Sequence, residues 1–401
     1  MTEQLLDQAV RLKARAFAAR LADVKNELTD RDEAVDLVAL AALCRENALL
    51  IGPPGTAKTY LIERFRRLLD VRSFSYLLTR FTEPAELFGP MDFRTFRDEG
   101  RYRINSSGML PDAEIAFLDE IFQGSSAILN SLLTLINERR YSNGGEVVQA
   151  SLVTLLGSSN DIPDDPLLAA FSDRFLLRCR LEYVPNDAIE DMLNLGWTSE
   201  CHRIRAAANG ADAEDSSRAA PVTFPLSDLL QLQQALADID LRPIRGLFTH
   251  ILQSFRAEGI GFSDRRAVKA QKTFAAAAVL AGRARAQPAD LVPLIYLWTN
   301  PEDEPAIRRI VADHDVPVEN RSQVVRDPTE ITYELAHLRR QQGSVRHAEE
   351  FREVLRRLQR MLNETRRDHP DSQQLLADLQ QFRDELLRAY RERYGEEGFY
   401  A

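Results

Sequence analysis

Gly52-Pro53-Pro54-Gly55-Thr56-Ala57-Lys58-Thr59 joins a glycine-rich turn to a lysine and a hydroxyl. The short apolar run Ala48–Ile51 precedes it, and a helical pattern carrying Ile62, Phe65, Leu68 and Leu69 follows. A strand–turn–helix of this kind curls successive backbone N–H groups round a phosphate at a helix N-terminus, where the dipole favours negative charge. Lys58 then stands where a lysine reaches β/γ-phosphates, and Thr59 where a hydroxyl holds Mg2+. The general pattern has glycine where Ala57 stands, and a methyl group disfavours a positive φ at that position. The bland alternative is a Gly/Pro turn that happens to precede Lys-Thr. Only five residues of the chain are lysines (13, 25, 58, 269 and 272), and one of them falls here.

A second constellation lies 61 residues after Lys58, where the apolar run Ile115-Ala116-Phe117-Leu118 ends in Asp119-Glu120. A strand tip parallel to the first would bring Asp119 to the Mg2+ shell and Glu120 to an attacking water. Phosphoryl transfer needs such positioning and charge neutralisation more than it needs covalent chemistry. Alone, an Asp-Glu pair after an apolar run is a plain strand end. In series with the phosphate loop it reads as the second half of a nucleotide site.

The intervening pattern must position these groups. Helical spacing is expected over residues 4–28, and a capped helix start at Thr29-Asp30-Arg31-Asp32 leads into Val38–Cys44. Further strands are predicted at Phe74–Leu78, Ile115–Leu118, Leu152–Leu156 and Phe175–Leu181, with an amphipathic helix over Ser125–Arg139. Strands alternating with helices imply a parallel sheet covered on both faces. Residues 206–221 are small, polar and aperiodic, and read as an exposed loop. Helical patterning resumes from Leu226 to about Val311. The tail offers two more amphipathic helices, one through Phe351, Val354, Leu358 and Met361, the other through Leu375, Leu379, Phe382, Leu386 and Tyr390. These would pack as a hairpin or present an apolar seam to a partner.

Composition narrows the classes. The 401 residues carry a net charge of −10 and are 44% hydrophobic and 28% charged, values of a soluble globular chain. No apolar run approaches the roughly 18 residues of a membrane span. The N-terminus lacks a basic-then-apolar leader. Three cysteines (Cys44, Cys179, Cys201) form no CxxC, which fits a reduced compartment and a cytoplasmic location. Six scattered histidines without HExxH give no metalloenzyme signature. The acidic balance and the lack of a long basic run count against nucleic acid as a partner.

Several segments together resemble the MoxR family of AAA+ ATPases, especially its RavA-type branch. They are GPPGTAKT, RFTEPAELFGP (80–90), GRYRINSSGMLPDAEIAFLDEIF (100–122), AILNSLLTLINERRYSNGG (127–145) and SDRRAVKA (263–270). The resemblance covers about residues 31–282. It implies an α/β P-loop NTPase fold, an αβα sandwich followed by an all-α lid, with ATP and Mg2+ as cofactors. Gly52, Pro53, Pro54, Gly55, Thr56, Ala57, Lys58, Thr59 and Asp119 would bind the nucleotide, Thr59 and Asp119 holding Mg2+. Glu120 would polarise water. The resemblance further implies Asn160 as sensor 1, orienting that water, Arg174 as an arginine finger acting on a neighbouring subunit, and Arg265 as sensor 2, with Arg266 as the fallback. An arginine acting in trans implies an oligomer, and the family implies a hexameric ring.

The expected divisions are a nucleotide-binding domain over 1–205 with an insertion at 81–110, a loop over 206–221, a lid over 222–326 and a helical hairpin over 327–401. Asp98-Glu99-Gly100 would turn a small hairpin in the insertion, either facing a central pore and touching a client or simply lying on the surface. RavA-type proteins carry a β-rich C-terminal module, and no strand-rich stretch follows residue 311 here. The function so implied is ATP hydrolysis coupled to remodelling of a partner complex, typically with a von Willebrand factor A domain protein. A nucleotide-gated scaffold with slow hydrolysis is the alternative, and a nucleic-acid motor a more distant one.

Overall fold

The computed structural model describes residues 6–163, 165–208, 223–318, 328–341 and most positions of 351–394. Two helices, α1 (Gln8–Asn26) and α2 (Asp32–Cys44), lead into β1 (Ala48–Ile51), and α3 (Lys58–Leu68) follows the phosphate loop. Next come β2 (Leu69–Asp70), β3 (Ser73–Leu77), α4 (Pro84–Phe88), α5 (Phe93–Glu99) and β4 (Ile115–Asp119). The series continues through α6 (Ser126–Glu138), β5 (Arg140–Asn143), β6 (Glu146–Gln149), β7 (Thr154–Ser159), α7 (Pro166–Ser172), β8 (Leu177–Arg180) and α8 (Ile189–Ala208). The main sheet is parallel, in the order β3-β4-β7-β1-β8. Every residue of β1 and β7, and Ile115–Leu118 of β4, is buried, as the continuous apolar runs require when both faces are covered. The C-terminal tips of the three central strands therefore stand side by side, where parallel α/β sheets form their ligand crevice.

Some expectations shift. The strand predicted at Leu152–Leu156 starts at Thr154 and runs on through Gly157-Ser158-Ser159. Small residues fit there because Gly157 is crowded by Ile121, Leu49 and Phe175 side chains, so hydrophobicity understates the strand's length. Asn160 consequently sits directly at its tip. The expected side-chain cap on α2 is absent: Arg31 occupies the N-cap with no side-chain capping bond, and Asp32 and Glu33 in the first turn favour the helix dipole instead. Asp98-Glu99-Gly100 does not turn a β-hairpin. It closes α5, with Gly100 at φ 66 as the left-handed C-cap, and the insertion is pinned by one bridge between Met91 and Ile104.

A true hairpin, β5–β6, lies farther along and turns at Gly144-Gly145. Asn143 clasps the insertion, its Oδ1 accepting from Ile104 N–H at 2.7 Å and its Nδ2 donating to Ile104 O at 3.1 Å. Phe81, Phe93, Phe96, Tyr102 and Val147 are exposed on this unit.

The helical region comprises β9 (Phe224–Pro225), paired with β2, then α9 (Leu226–Ala235), α10 (Arg242–Ala257), α11 (Asp264–Leu280), a 3-10 stretch at Pro288–Tyr296 and α12 (Glu304–Asp313). Alanines 270, 275, 276 and 278 let α11 pack closely on α1 and α2. The buried Glu46 carboxylate binds both Lys269 and Lys272 at 2.6 and 2.7 Å. The predicted loop at 206–221 starts inside α8, and its remainder lies outside the described residues.

Met1–Ile251 with Phe262–Val318 forms one compact unit, and Leu252–Gly261 with Glu319–Ala401 another. Within the second, the tail is more than the expected two-helix hairpin, because α13 (Pro328–Gln341) joins it. Ile331, Leu335 and Leu338 share one core with Phe351, Leu358 and Met361 and with Leu379, Phe382, Leu386 and Tyr390 of Gln373–Tyr394. The two apolar stripes are thus buried within their own unit rather than presented as an open seam. Among the described residues no helix is long and apolar enough to cross a membrane.

Candidate active site

The phosphate loop is threaded between strand ends. Gly52 N–H donates to Ser159 O at 3.1 Å, and Leu181 N–H donates to Ile51 O at 2.7 Å. A Cβ on Gly52 would stand 2.1 Å from Leu181 O, so only glycine fits that passage. Gly55 and Ala57 both adopt positive φ, 83° and 65°. The alanine takes the conformation its methyl group disfavours, at a cost of about 1 kcal/mol, and α3 begins at the next residue. Thr56 Oγ1 donates to Pro53 O at 2.9 Å. Arg31, buried and read in the sequence only as part of a helix start, is a brace: Nε donates to Thr56 O at 3.0 Å and Nη2 to Glu182 O at 2.9 Å.

The residues expected to do chemistry meet in one hydrogen-bonded network. Lys58 Nζ donates to Gly52 O at 2.6 Å, Pro53 O at 3.1 Å and Asn160 Oδ1 at 3.3 Å. Asn160 Nδ2 donates to Glu120 Oε1 at 2.9 Å. Thr59 Oγ1 donates to Asp119 Oδ2 at 3.1 Å, while Ser158 Oγ donates to the other carboxylate oxygen. Glu120 sits at φ 51, a left-handed conformation in which a non-glycine residue is strained, as at many functional sites. Burial pushes the Lys58 ammonium below the ordinary lysine value, and the Asp119 and Glu120 carboxylates oppose that shift.

These groups fit Mg-nucleotide. The first amides of α3 have no intrahelical acceptor, and the left-handed residues 55 and 57 shape the loop into a concave anion cradle. Mg2+ takes one or two protein oxygens and completes its shell with water and phosphate, which is the donor set Thr59 and Asp119 offer.

Arg174 and Arg265 are not part of this network. Asn47, the residue before β1, donates its Nδ2 to Arg174 O at 3.3 Å, and Leu177 pairs with Ala48. The loop leaves the opposite end of β1. Asn47 to Gly52 is about 16 Å of strand at roughly 3.3 Å per residue, and an extended arginine side chain covers less than half of that. Arg174 is partly exposed and lies 3.8 Å from Asp173, and its Nε is buried without a hydrogen-bond partner among the described residues. Arg265 is exposed at the start of α11, beside Arg266.

Arg266 itself is only 3% exposed and serves as a strut, donating to Leu176 O at 2.9 Å, Leu297 O at 3.2 Å and Asp173 Oδ1 at 2.9 Å. The start of α11 is thereby tied to the start of β8, so Arg265 emerges at the same end of the sheet as Arg174. Arg178, unremarked in the sequence, completes the strut by donating to Ser172 O at 2.7 Å, with its guanidinium 5.7 Å above the Trp298 ring. Burial, then the nearby Arg266, pushes its pKa down to about 9. Ser158, Arg31 and Arg178 had no local signal, since each acts through a partner distant in the chain.

Comparison with known proteins agrees with this geometry. Residues 15–216 match the model of the MoxR domain in MoxR-vWA-beta-propeller ternary systems, and residues 243–311 match an AAA lid domain. Two uncharacterised proteins of Methanocaldococcus jannaschii, MJ0079 and MJ0812, are 32% and 34% identical to the chain. The first alignment spans 73% of this chain and 74% of that protein, the second 70% and 71%. Chaperone MoxR1 of Mycobacterium tuberculosis is 26% identical over 44% of this chain and 47% of its own length. A crystal structure from Cytophaga hutchinsonii, described as a candidate ATPase, superposes with a TM-score of 0.57 at 18% identity, covering 76% of this chain and 95% of that one. That last likeness shows the fold, a parallel α/β core followed by a helical lid. With half of its length matched by the domain model and more than two thirds aligned to relatives above 30% identity, the chain belongs to the MoxR family of AAA+ ATPases.

Proposed function

We propose that this protein hydrolyses Mg-ATP at a site shared between copies of the chain and uses the cycle to remodel a partner protein complex. The observation that carries the reading is the split between the two halves of the machinery. Lys58, Thr59, Asp119, Glu120 and Asn160 converge at one end of the sheet, while Arg174 and Arg265 emerge at the other. A second copy completes the site, in a hexameric ring by family analogy. Bound Mg-ATP supplies the transferable phosphoryl group and the metal charge that offsets its oxygens. Lys58 and the loop amides hold phosphate, and Thr59 and Asp119 hold the metal. Glu120, aimed by Asn160, accepts the proton of a water at Oε1. Arg174 and Arg265 deliver positive charge to the neighbour's nucleotide.

The partner proposed is a von Willebrand factor A domain protein. Its support is the matched domain model, whose description joins MoxR to vWA and β-propeller components. The likeness of its motifs to the RavA-type branch supports that branch assignment, and its cysteine usage supports a cytoplasmic location. The unit made by the insertion and β5–β6, with its exposed aromatics, is the surface proposed to touch the client.

Steady-state ATPase rate against protein concentration, with mass measured alongside, tests the reading. Turnover per subunit should rise as a ring-sized species forms. Glu120→Gln should bind Mg-ATP and not turn it over. Wild-type turnover in that variant would overturn the role of Glu120, and a near-zero rate in assembled wild type with its partner present would favour the nucleotide-gated scaffold.

A further inference from the structure

Arg174 is held by its backbone more firmly than by its side chain. The guanidinium lies 3.8 Å from Asp173, whose carboxylate is 42% exposed, and open ion pairs of this kind hold a side chain weakly. The main chain is clamped on both sides. Arg174 N–H donates to Phe171 O at 3.1 Å, and Arg174 O accepts from Asn47 Nδ2 at 3.3 Å.

Asn47 is only 3% exposed, and its amide joins three segments. Oδ1 accepts from Leu155 N–H of β7 at 3.2 Å and from Arg139 Nη2 at 3.1 Å, while Nδ2 is turned to Arg174 O. Two donors meet one amide atom and a carbonyl meets the other, which fixes the orientation of the group. A carboxylate in its place could only accept, and an aliphatic side chain could do neither. Arg139 holds the far side of the amide. It is the left-handed C-cap of α6, at φ 55, and its Nη2 also donates to Arg45 O and Val153 O, both at 3.2 Å. Burial, opposed by the Glu46 charge, pushes its pKa down to about 10, which leaves it a cation and a donor at neutral pH. Its carbonyl accepts from Ala150 N–H at 2.8 Å and closes the base of the β5–β6 hairpin.

We propose that Asn47, backed by Arg139, is a positioning residue for hydrolysis: its amide sets where the Arg174 backbone stands, and so where that guanidinium meets the nucleotide of a neighbouring copy. The inference rests on the shared-site reading above and names the groups that aim the shared arginine. Asn47 precedes β1 at the end opposite the phosphate loop, so its effect belongs to the neighbour's site and not to its own.

Asn47→Asp keeps the size and the acceptor, removes the donor and sets a carboxylate oxygen against Arg174 O. The full chain carrying it should keep the circular dichroism spectrum and assembled mass. Its Mg-ATP affinity and KM should stay within about twofold of wild type while kcat falls at least about tenfold. Mixing equal amounts as dissociated subunits, then reassembling them, reads which side of the site is damaged. With Lys58→Ala, which has a disabled loop and an intact arginine, Asn47→Asp should recover about a quarter of wild-type turnover. With Arg174→Ala it should recover none, because every arginine in that mixture is lost or misplaced.

A fault that is only structural would reach the variant's own loop, raise KM and leave Lys58→Ala uncomplemented. That pattern overturns the proposal, as does wild-type kcat in Asn47→Asp. Should Asn47→Asp not fold, Arg139→Met, which keeps the stem and removes the donor, decides by the same two mixtures; a pattern unlike that of Arg174→Ala overturns the proposal. Lys58→Ala mixed with Arg174→Ala tests the sharing itself. No recovery there brings down both readings, whereas recovery there with none for Asn47→Asp brings down the positioning role alone.

Discussion

Mixing two inactive variants follows directly from the strand register. Lys58→Ala removes the ammonium proposed to bind phosphate but leaves Arg174 at the far end of the sheet, and Arg174→Ala does the reverse. The two groups are separated by about 16 Å of β1 in one subunit, anchored by the bond from Asn47 Nδ2 to Arg174 O. Each variant alone should hydrolyse ATP at a rate near zero. If each site faces one arginine-bearing neighbour, random mixing of equal amounts leaves about one interface in four with an intact loop opposite an intact arginine, hence about a quarter of wild-type turnover. The assay is phosphate release after the variants are mixed as dissociated subunits and reassembled, with total protein held constant. An arginine serving its own loop allows no recovery. A mixture never exceeding the sum of its parts, despite assembled species of the right mass, would refute the register argument.

Three further outcomes are expected. Arg266→Ala strips its partner from Asp173 and leaves the Leu176 and Leu297 carbonyls short of a donor, and should lower unfolding stability by about 2–4 kcal/mol in urea titration. The exposed Arg265→Ala should cost less than about 0.5 kcal/mol yet slow hydrolysis in the assembled protein, and the opposite pattern would exchange their roles. Ala57→Gly relieves about 1 kcal/mol of left-handed strain against a smaller entropic loss, for a net gain of up to about 0.5 kcal/mol, whereas Ala57→Val should destabilise; a lower urea midpoint for the glycine variant contradicts the observed φ. In the proposed site phosphate would bind the protonated Lys58 best, so Mg-nucleotide affinity should be full below the lysine's lowered pKa and fall as pH rises through it. The fall should begin below the ordinary value of 10.5, and affinity by calorimetry that stays flat to pH 10 would argue against a lysine contact.

The arrangement at the strand tips was legible because it is local. Gly52–Thr59 and Ile115–Glu120 each carry their strand, turn and reactive groups within a few residues, and β1 and β4 formed where apolar runs ended in those groups. Legibility failed where a residue's partner is remote. Arg31 reads as a helix start and is a brace on Thr56 and Glu182. Arg266 reads as a second choice for sensing nucleotide and is a buried strut. Gly157-Ser158-Ser159 lies beyond the strand expected at Leu152–Leu156 and is buried strand, because a tightly packed position selects small side chains rather than hydrophobic ones. In the tail, amphipathic stripes foretold helices over 351–361 and 375–390 without saying which surfaces they face, and a third helix from Pro328 enters their common core.

The residue types and spacings alone determined that a glycine-rich strand-to-helix turn ends in Lys58-Thr59 and that a second strand runs out into Asp119-Glu120, since hydrophobic period and turn chemistry act over a handful of neighbours. They also carried enough likeness to place the chain among AAA+ ATPases. Tertiary structure alone decided that Asn160 stands between Lys58 and Glu120, and that Arg174 lies at the opposite end of β1 from the loop. These are matters of which strand lies beside which, and at which end. Sheet order and parallel register bring together residues a hundred positions apart, and no local preference along the chain encodes that distance.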